Sequence, residues 1–314
     1  MVSGRLRRLG RRGPAVAVAL AADRRFGEPA VDPHPVAAFG TLMAAVERRG
    51  WRDDRVAGVR HLALGVGVGV AAGGVLRSTA LATYLSVAGR CLGDVALDIG
   101  GLLEAGDVER ARTDVRALVG RDTAGLTTSE LCRAVIESVA ENTVDAVVAP
   151  ALWGAVAGAP GTLGYRAVNT LDAMVGHRTP RYERFGWASA RADDVANWVP
   201  ARATALLVVA TRPASAAEVA RIVRRDAGAH PSPNGGVAEA AFAAALGVRL
   251  GGTNRYGDRV EPRGVLGDGR PPEPHDVQRA VTLLRDVTVA LAATLAGAGA
   301  AAAARDASRR GRRA

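Results

Sequence analysis

Three acidic residues recur at every fourth position just before the apolar run 146–168: Glu137, Glu141 and Asp145. On an α-helix this spacing stacks the three carboxylates along one face. Like charges at that spacing repel, and an apolar run gains nothing from them in folding. The pattern therefore indicates a place that holds a cation, a proton or a cationic substrate. The alternative interpretation is a solvated helix face with Arg133 as its counter-ion.

Oxygen-bearing side chains gather again further along the chain. Asn169 and Asp172 are three residues apart, on one helical face, and the pair Asp193-Asp194 is followed by Asn197. Hard cations such as Mg²⁺ take oxygen ligands, commonly one or two carboxylates plus phosphate oxygens of a substrate. One such pair alone is typical of a helix cap or a surface ion pair. Three clusters within about sixty residues favour a site.

Two histidines sit beside prolines, His34 in the segment 32–35 and His230 in the segment 229–234. Proline favours extended backbone around these positions and fixes where each imidazole points. Rigid polar loops often carry binding residues. The alternative for each is a helix-entry loop in which the histidine caps or packs.

The elements that must position these groups are apolar helices. Long apolar stretches cover 56–76, 78–99, 146–168 and 287–304, with a shorter run at 199–211. Since about 20 apolar residues cross a bilayer, we predict an all-α, multi-pass membrane protein with about four or five spans and a polar helical and loop region. Some of these stretches could instead be buried helices of a soluble bundle.

Local sequence features refine this picture. The glycines of 65–74 suit close helix packing in lipid. Pro150 and Pro160 predict a broken helix that lines a cavity. The run 14–22 is too short to span, so we expect a re-entrant or interfacial helix, or a truncated first span. We predict one domain over 1–314, with a basic extension at 1–13 and an Arg-rich tail at 305–314.

Composition excludes several classes of function. All 41 basic residues are arginine, so no lysine can form a Schiff base with pyridoxal phosphate or serve a Walker A phosphate loop. The net charge is +10, but the arginines are dispersed and no aromatic stacking platform accompanies them. We therefore expect anionic membrane surfaces or anionic substrates as partners, not nucleic acid.

Several long motifs together resemble one family. The segments are 27–29 with 32–36, 137–142 with Asp145 and 149–150, 165–176, 181–182 with 185–187 and 191–200, and 229–234. They are similar to the CobD/CbiB family of cobalamin biosynthesis proteins, the adenosylcobinamide-phosphate synthases. The resemblance covers roughly residues 20–300. The short first apolar run departs from the longer segment usual in that family.

The resemblance implies a multi-pass protein of the cell (inner) membrane. It implies an amide-forming ligase that joins aminopropanol, or its O-phosphate, to the free propionate of adenosylcobyric acid. A carboxylate does not condense with an amine unaided in water, so we expect ATP and Mg²⁺ to take part. The partners implied are the corrinoid, the amine and the lipid bilayer.

Roles for individual residues follow as hypotheses from this chemistry. Residues assigned to metal binding or to capture of the substrate ammonium are Glu137, Glu141, Asp145, Asn169 and Asp172. Candidate phosphate, propionate or other substrate contacts are Arg166, Arg178, Arg191, Asn142 and Asn234. Candidate catalytic residues are His34 or His230 as the base that deprotonates the amine, with Glu141 and Asp172.

Two other functions compete with this interpretation. A corrinoid or small-molecule permease would use the intramembrane acids as an ion or proton path. A Mg²⁺-dependent membrane prenyltransferase would hold diphosphate on Asp-rich helices, of which the segment 193–197 has some features. That enzyme class should show two comparable Asp-rich repeats, and the sequence has no clean pair.

Overall fold

The structure is a computed structural model that describes the backbone of residues 2–256 and 259–311 and the side chains of residues 12–255 and 260–305. Parts of the basic extension 1–13 and of the Arg-rich tail 305–314 lie outside the described residues.

Helices dominate the described chain, with one short antiparallel hairpin near the C-terminal end. The α-helices are α1 (Val2–Phe26), α2 (Pro35–Gly50), α3 (Arg55–Leu76), α4 (Thr79–Tyr84), α5 (Gly89–Glu104), α6 (Val108–Asp114), α7 (Thr128–Thr143), α8 (Ala149–Val175), α9 (Trp187–Ala196), α10 (Trp198–Thr211), α11 (Ala216–Asp226), α12 (Gly235–Leu246) and α13 (Pro274–Gly311). The strands are β1 (Leu250–Tyr256) and β2 (Arg259–Leu266).

Four helical segments in the described part of the chain are long and apolar enough to cross a membrane: Arg55–Leu76, Thr79–Glu104, Thr128–Val175 and Pro274–Arg305. They coincide with the predicted apolar stretches, and the prediction of a multi-pass helical membrane protein is confirmed. The run 14–22 lies within α1, a helix of 25 residues that contains Pro14, and is therefore not an isolated short helix.

The chain divides into two compact units. Unit 1 comprises Met1–Ala88, Asp145–Asn197 and Leu291–Ala314. Unit 2 comprises Gly89–Val144 and Trp198–Ala290. Whether the chain folds as one domain stays a prediction.

In unit 1, glycines bring α3 close to α8. Gly65, Gly69 and Gly73 recur every fourth residue and are buried, whereas a side chain at Gly67 or Gly74 would point into open space. A Cβ at Gly69 would lie 2.5 Å from the carbonyl oxygen of Leu163 on α8. The glycine-rich sequence therefore serves close helix packing, as predicted.

The break predicted in 146–168 is present at two points. Val144–Val148 forms a π-helical segment, and Gly158 inside α8 has φ = 72°, two residues before Pro160. Glycine tolerates this left-handed backbone because it has no Cβ. α7 ends at Thr143, and Asp145 lies in the π-helical segment. The three carboxylates therefore do not stack along one face of a single regular α-helix.

In unit 2, α7 begins with a capping box in which Thr127 and Glu130 satisfy each other's backbone N–H groups. The helix packs on α5 and α12, and α12 packs on α10 and α11. The hairpin was not predicted. Its strands contain glycines at 251, 252 and 264, which weaken the alternation of polar and apolar residues that identifies a strand.

The glycine stripe gives a direct test. Gly69→Ala places a methyl group against the backbone of α8 and should lower the thermal unfolding midpoint of the detergent-solubilised protein, because overpacking costs about 1–3 kcal/mol. Gly74→Ala is the matched control in the same helix and should leave the midpoint unchanged or slightly raised. Equal midpoints for the two variants would contradict the packing.

Candidate functional site

Glu137 is a buried carboxylate at the centre of unit 2, with only 5% of its surface exposed. Its Oε2 accepts a hydrogen bond of 2.6 Å from Nη1 of Arg121, which is also buried. Its Oε1 accepts one of 2.8 Å from the backbone N–H of Gly251. Arg133 lies 3.7 Å away on the same helix. Buried charges persist only where such partners compensate the lost hydration, so these contacts stabilise the charge of Glu137. Its role as a metal ligand stays a prediction.

The same two arginines attach strand β1 to helix α7. Arg121 Nη1 also donates to Oδ1 of Asn254 at 2.6 Å, and Arg133 donates to the carbonyls of Gly251 and Thr253. The pairing register of the hairpin shifts between Gly251 and Thr253, and Gly251 has φ = 74°. This bulge needs glycine, and its irregular backbone turns the N–H of Gly251 towards Glu137.

Glu141, one turn beyond Glu137, is half-buried beside a cavity of about 110 Å³. The polar residues lining that cavity are Arg121, Glu137, Ser138, Glu141, Asn254 and Arg263. Water occupies about 30 Å³ per molecule, so this space fits one small charged group but not a corrin ring. Both signs of charge line it, so a carboxylate, a phosphate or an ammonium group could bind there.

His230 and Glu239 form a buried pair next to Glu141. Nε2 of His230 lies 3.2 Å from Oε1 of Glu239, and the two side chains are almost completely buried. Burial raises the pKa of Glu239 to about 8, against the opposing effect of His230. Burial alone would lower the pKa of His230, but the neighbouring carboxylate of Glu239 outweighs it, and the pKa is raised. The pair therefore holds a proton more tightly than either group would in water.

Donor atoms of Glu141, His230 and Glu239 all lie within 4.8 Å of one another. Among the side chains that the structure describes, this is the group of at least three acidic, histidine or cysteine residues that could hold a metal ion. Glu141 and His230 were both predicted as site residues. The structure brings these two together.

A second polar cluster lies in unit 1, around Asp193. Its carboxylate accepts hydrogen bonds from the amides of Asn169 (3.3 Å) and Asn197 (3.0 Å), and Asn197 in turn accepts one from the hydroxyl of Tyr165. Burial raises the pKa of Asp193, against these two amides. Asp172 lies within electrostatic range of Asp193.

The predicted arginines of unit 1 have different surroundings. Arg166 donates to Asn169 at 3.2 Å and so joins the Asp193 cluster. Arg191 is exposed and pairs with Asp194. Arg178 is exposed in the segment after α8.

The remaining predicted residues of unit 1 and the predicted asparagines of unit 2 each form a hydrogen bond or belong to an element outside these clusters. His34 caps helix α2 and accepts from the N–H of Val36. Asp145 belongs to the π-helical segment, and its carbonyl accepts from Tyr165. Asn142 donates to the carbonyl of Ser138, and Asn234 accepts from Arg202. The five predicted metal ligands are divided between the units, with Glu137 and Glu141 in unit 2.

Four side chains of the unit 2 site were missed by sequence reasoning: Arg121, Glu239, Asn254 and Arg263. Glu239 carried a signal, because it is the single charged residue in the apolar helix 235–246. A lone acid among alanines on a helix that must be buried needs a partner. The other three lie in polar segments where nothing in the sequence distinguishes them.

Comparison with known proteins identifies the family. The profile of the family described as CobD/Cbib protein matches residues 16–284. The chain belongs to the CobD/CbiB family. A Mycobacterium tuberculosis H37Rv protein named cobalamin biosynthesis protein CobD is 50% identical over 298 residues, which cover 91% of this chain and 95% of that protein.

Two other relatives with the same name also align with most of this chain. A Rhodobacter capsulatus protein is 45% identical over 80% of this chain and 85% of its own length. The Geobacter metallireducens protein is 43% identical over 83% of this chain and 88% of its own length. No solved structure matches the chain. Membership of the family identifies the chain as a protein of cobalamin biosynthesis.

The buried ion pair predicts a strong effect of one truncation. Arg121→Ala leaves Glu137 charged and buried without its main partner, so it should cost about 3–5 kcal/mol of stability. Arg110→Ala is the control, since the exposed pair of Arg110 with Asp114 is worth about 0–1 kcal/mol. Thermal unfolding in detergent measures both. Equal effects of the two changes would contradict a structural role for the pair.

The raised pKa of Glu239 predicts that the stability of the fold depends on pH. Its pKa in the folded protein, about 8, is above the ordinary value of 4.5. Protonation therefore stabilises the fold, and that contribution is lost as pH rises through about 8. In chelator-treated protein the unfolding midpoint should fall between pH 6 and pH 8.5 by roughly a few degrees relative to Glu239→Gln. Parallel pH profiles for the two proteins would contradict the shift.

Proposed function

We propose that the protein is an amide-forming enzyme of cobalamin biosynthesis, of the adenosylcobinamide-phosphate synthase type. It joins the free propionate of adenosylcobyric acid to the amine of aminopropanol or its O-phosphate. The observation that carries the proposal is family membership over residues 16–284. The charge-lined cavity of unit 2 supports it, because both reacting groups are charged before they combine.

The carboxylate must be activated before the amine attacks. We propose that ATP transfers a phosphoryl or adenylyl group to the propionate and releases ADP or diphosphate. The neutral amine then attacks the acyl carbon and loses a proton as the C–N bond forms, and phosphate or AMP leaves. The oxygen lost from the carboxylate departs with that group, so the reaction balances without release of free water. Since the chain has no lysine, arginine and Mg²⁺ would neutralise the phosphate charge.

Side chains at the unit 2 cavity suit the two charged substrate groups. Glu141 is half-exposed and attracts the ammonium of the amine, and Arg263, 3.9 Å from Glu141, attracts the propionate or a phosphate. Arg121 is already paired with Glu137 and serves mainly to fix this wall. Opposite charges a few ångströms apart would hold the two reacting groups close together.

For Mg²⁺ we propose the oxygen-rich cluster of unit 1. Asn169, Asp172 and Asp193 offer amide and carboxylate oxygens, the ligands that a small hard cation prefers. Arg166 beside Asn169 would accompany a phosphate bound there. We also propose that the membrane is the cell (inner) membrane, where nucleotide is available on the cytoplasmic side.

The proposal is tested with the purified full-length chain in detergent or nanodiscs. The protein is incubated with adenosylcobyric acid, Mg²⁺ and ATP, and with either aminopropanol or its O-phosphate, and products are identified by mass. We expect the mass of the corrinoid to increase by the mass of the amine minus that of one water molecule. Accumulation of unconverted labelled corrinoid inside vesicles would instead support a permease.

Two substitutions test the proposed residues. Glu141→Ala and Asp172→Ala should each abolish product formation at unchanged expression, because they remove the proposed amine-binding and metal-binding carboxylates. Glu104→Ala, which changes an exposed acid at the end of α5, is the control and should retain activity. Near-normal turnover in both site variants would refute the assignment while leaving the reaction itself intact.

A further inference from the structure

We propose that Glu141, His230 and Glu239 bind a divalent transition-metal ion, with one carboxylate oxygen of Glu141 on the ion and the other left for the substrate ammonium. The three residues differ from those of the oxygen-rich cluster of unit 1. The first observation is geometric. One donor atom from each of the three side chains lies within 4.8 Å of the other two. The three residues come from helix α7, the loop before α12 and α12 itself, all within unit 2.

The second observation is the isolated carboxylate of Glu239. The residue is 0% exposed, and neither carboxylate oxygen has a hydrogen bond of good geometry in the described structure. Among the described side chains, the cationic group at ion-pair distance is the imidazole of His230, whose Nε2 is 3.2 Å from Oε1. A carboxylate removed from water is costly unless a cation compensates it. A metal ion between Glu239 and its neighbours supplies that compensation.

The imidazole of His230 is oriented as a metal ligand would be. Its Nδ1 lies 3.1 Å from the carbonyl oxygen of Ser232 and 3.1 Å from the backbone nitrogen of Ser232, so the backbone of Ser232 holds the ring in place. Nε2 faces Glu239 at 3.2 Å, and in the tautomer that donates from Nδ1 to the carbonyl it has a lone pair for a metal ion. Metal-ligating histidines commonly donate a hydrogen bond from the N–H of their second ring nitrogen to a carbonyl or carboxylate. Pro231 stiffens the loop and so fixes the ring.

The backbone beside the cluster is kept free of side chains. A Cβ at Gly235 would lie 2.8 Å from Oε1 of Glu141 and 3.0 Å from Cε1 of His230. At Gly236 it would lie 2.7 Å from Cβ of His230. Glycine at 235 therefore keeps open the space beside the donors, whereas glycine at 236 allows close packing on the backbone of Ala227.

The donor set selects the class of ion. One imidazole nitrogen and two carboxylates suit Mn²⁺, Fe²⁺ or Zn²⁺, whereas Mg²⁺ prefers oxygen ligands alone. Two carboxylates also balance the charge of a dication. Arg263, whose Nη1 is 3.4 Å from Nε2 of His230, must withdraw from that nitrogen when an ion binds. Glu261, 3.4 Å from Nε of Arg263, remains as its partner.

Metal content of the full-length chain tests the site without reference to activity. Protein purified in detergent is stripped with EDTA, equilibrated with Mn²⁺ or Zn²⁺, freed of excess ion and analysed by mass spectrometry for metal. Wild type should retain about one ion per chain. Glu239→Gln and His230→Gln should each retain less than about one tenth of that. His275→Gln, at an exposed histidine near two acids, is the matched control and should bind like wild type.

Two further measurements test the metal site if a variant folds poorly. The added ion should raise the thermal unfolding midpoint of wild type and of His275→Gln, but not that of Glu239→Gln. Gly235→Ala should also lose the ion, since its methyl group enters the site. Wild type that retains no ion after stripping and loading, or site variants that bind like wild type, would overturn the proposal. Neither result depends on the amide-forming reaction.

Discussion

A carboxylate held inside an apolar helix needs a cation and a hydrogen-bond donor brought to it by the rest of the fold. Glu137 on α7 meets this requirement through Arg121, at 2.6 Å, and through the N–H of Gly251, at 2.8 Å. The arginine comes from the polar segment before α7, and the glycine comes from a bulged strand more than a hundred residues away. Satisfying this one charge therefore fixes three separate segments of unit 2 against each other.

That arrangement determines where the more exposed groups lie. Glu141 follows Glu137 by one turn and faces the cavity, and the hairpin held by Arg121 and Arg133 brings Arg263 within 4 Å of Glu141. The loop carrying His230 completes the cluster with Glu239. Burial and like charge make each of these acids costly to the fold. We propose that binding of charged reactants at the cavity and of a metal ion at Glu239 accounts for their joint presence.

The spans could be predicted from the sequence because they rest on length and hydropathy, and the glycine spacing of 65–73 correctly indicated a packed face. The spacing of Glu137 and Glu141 and the proline around His230 singled out two segments whose residues Glu141 and His230 lie close together in the structure. The sequence could not show that Glu239 faces them, because an acid in an alanine-rich helix has no periodic signal of its own. It could not show Arg121 or Asn254 either, since their roles arise from long-range contacts made through a glycine bulge.

The measurement that tests this account most directly is the rate at which Glu239→Gln converts adenosylcobyric acid to the amide product, compared with wild type at equal amounts of folded protein. Glu239 is fully buried, so a loss of turnover in a variant of unchanged stability reports on Glu141 and His230, the side chains beside it. A loss of about a hundredfold or more in turnover, corresponding to about 2.7 kcal/mol, is the predicted result. Turnover within twofold of wild type in a variant of unchanged thermal stability would contradict the claim that this cluster is the working site.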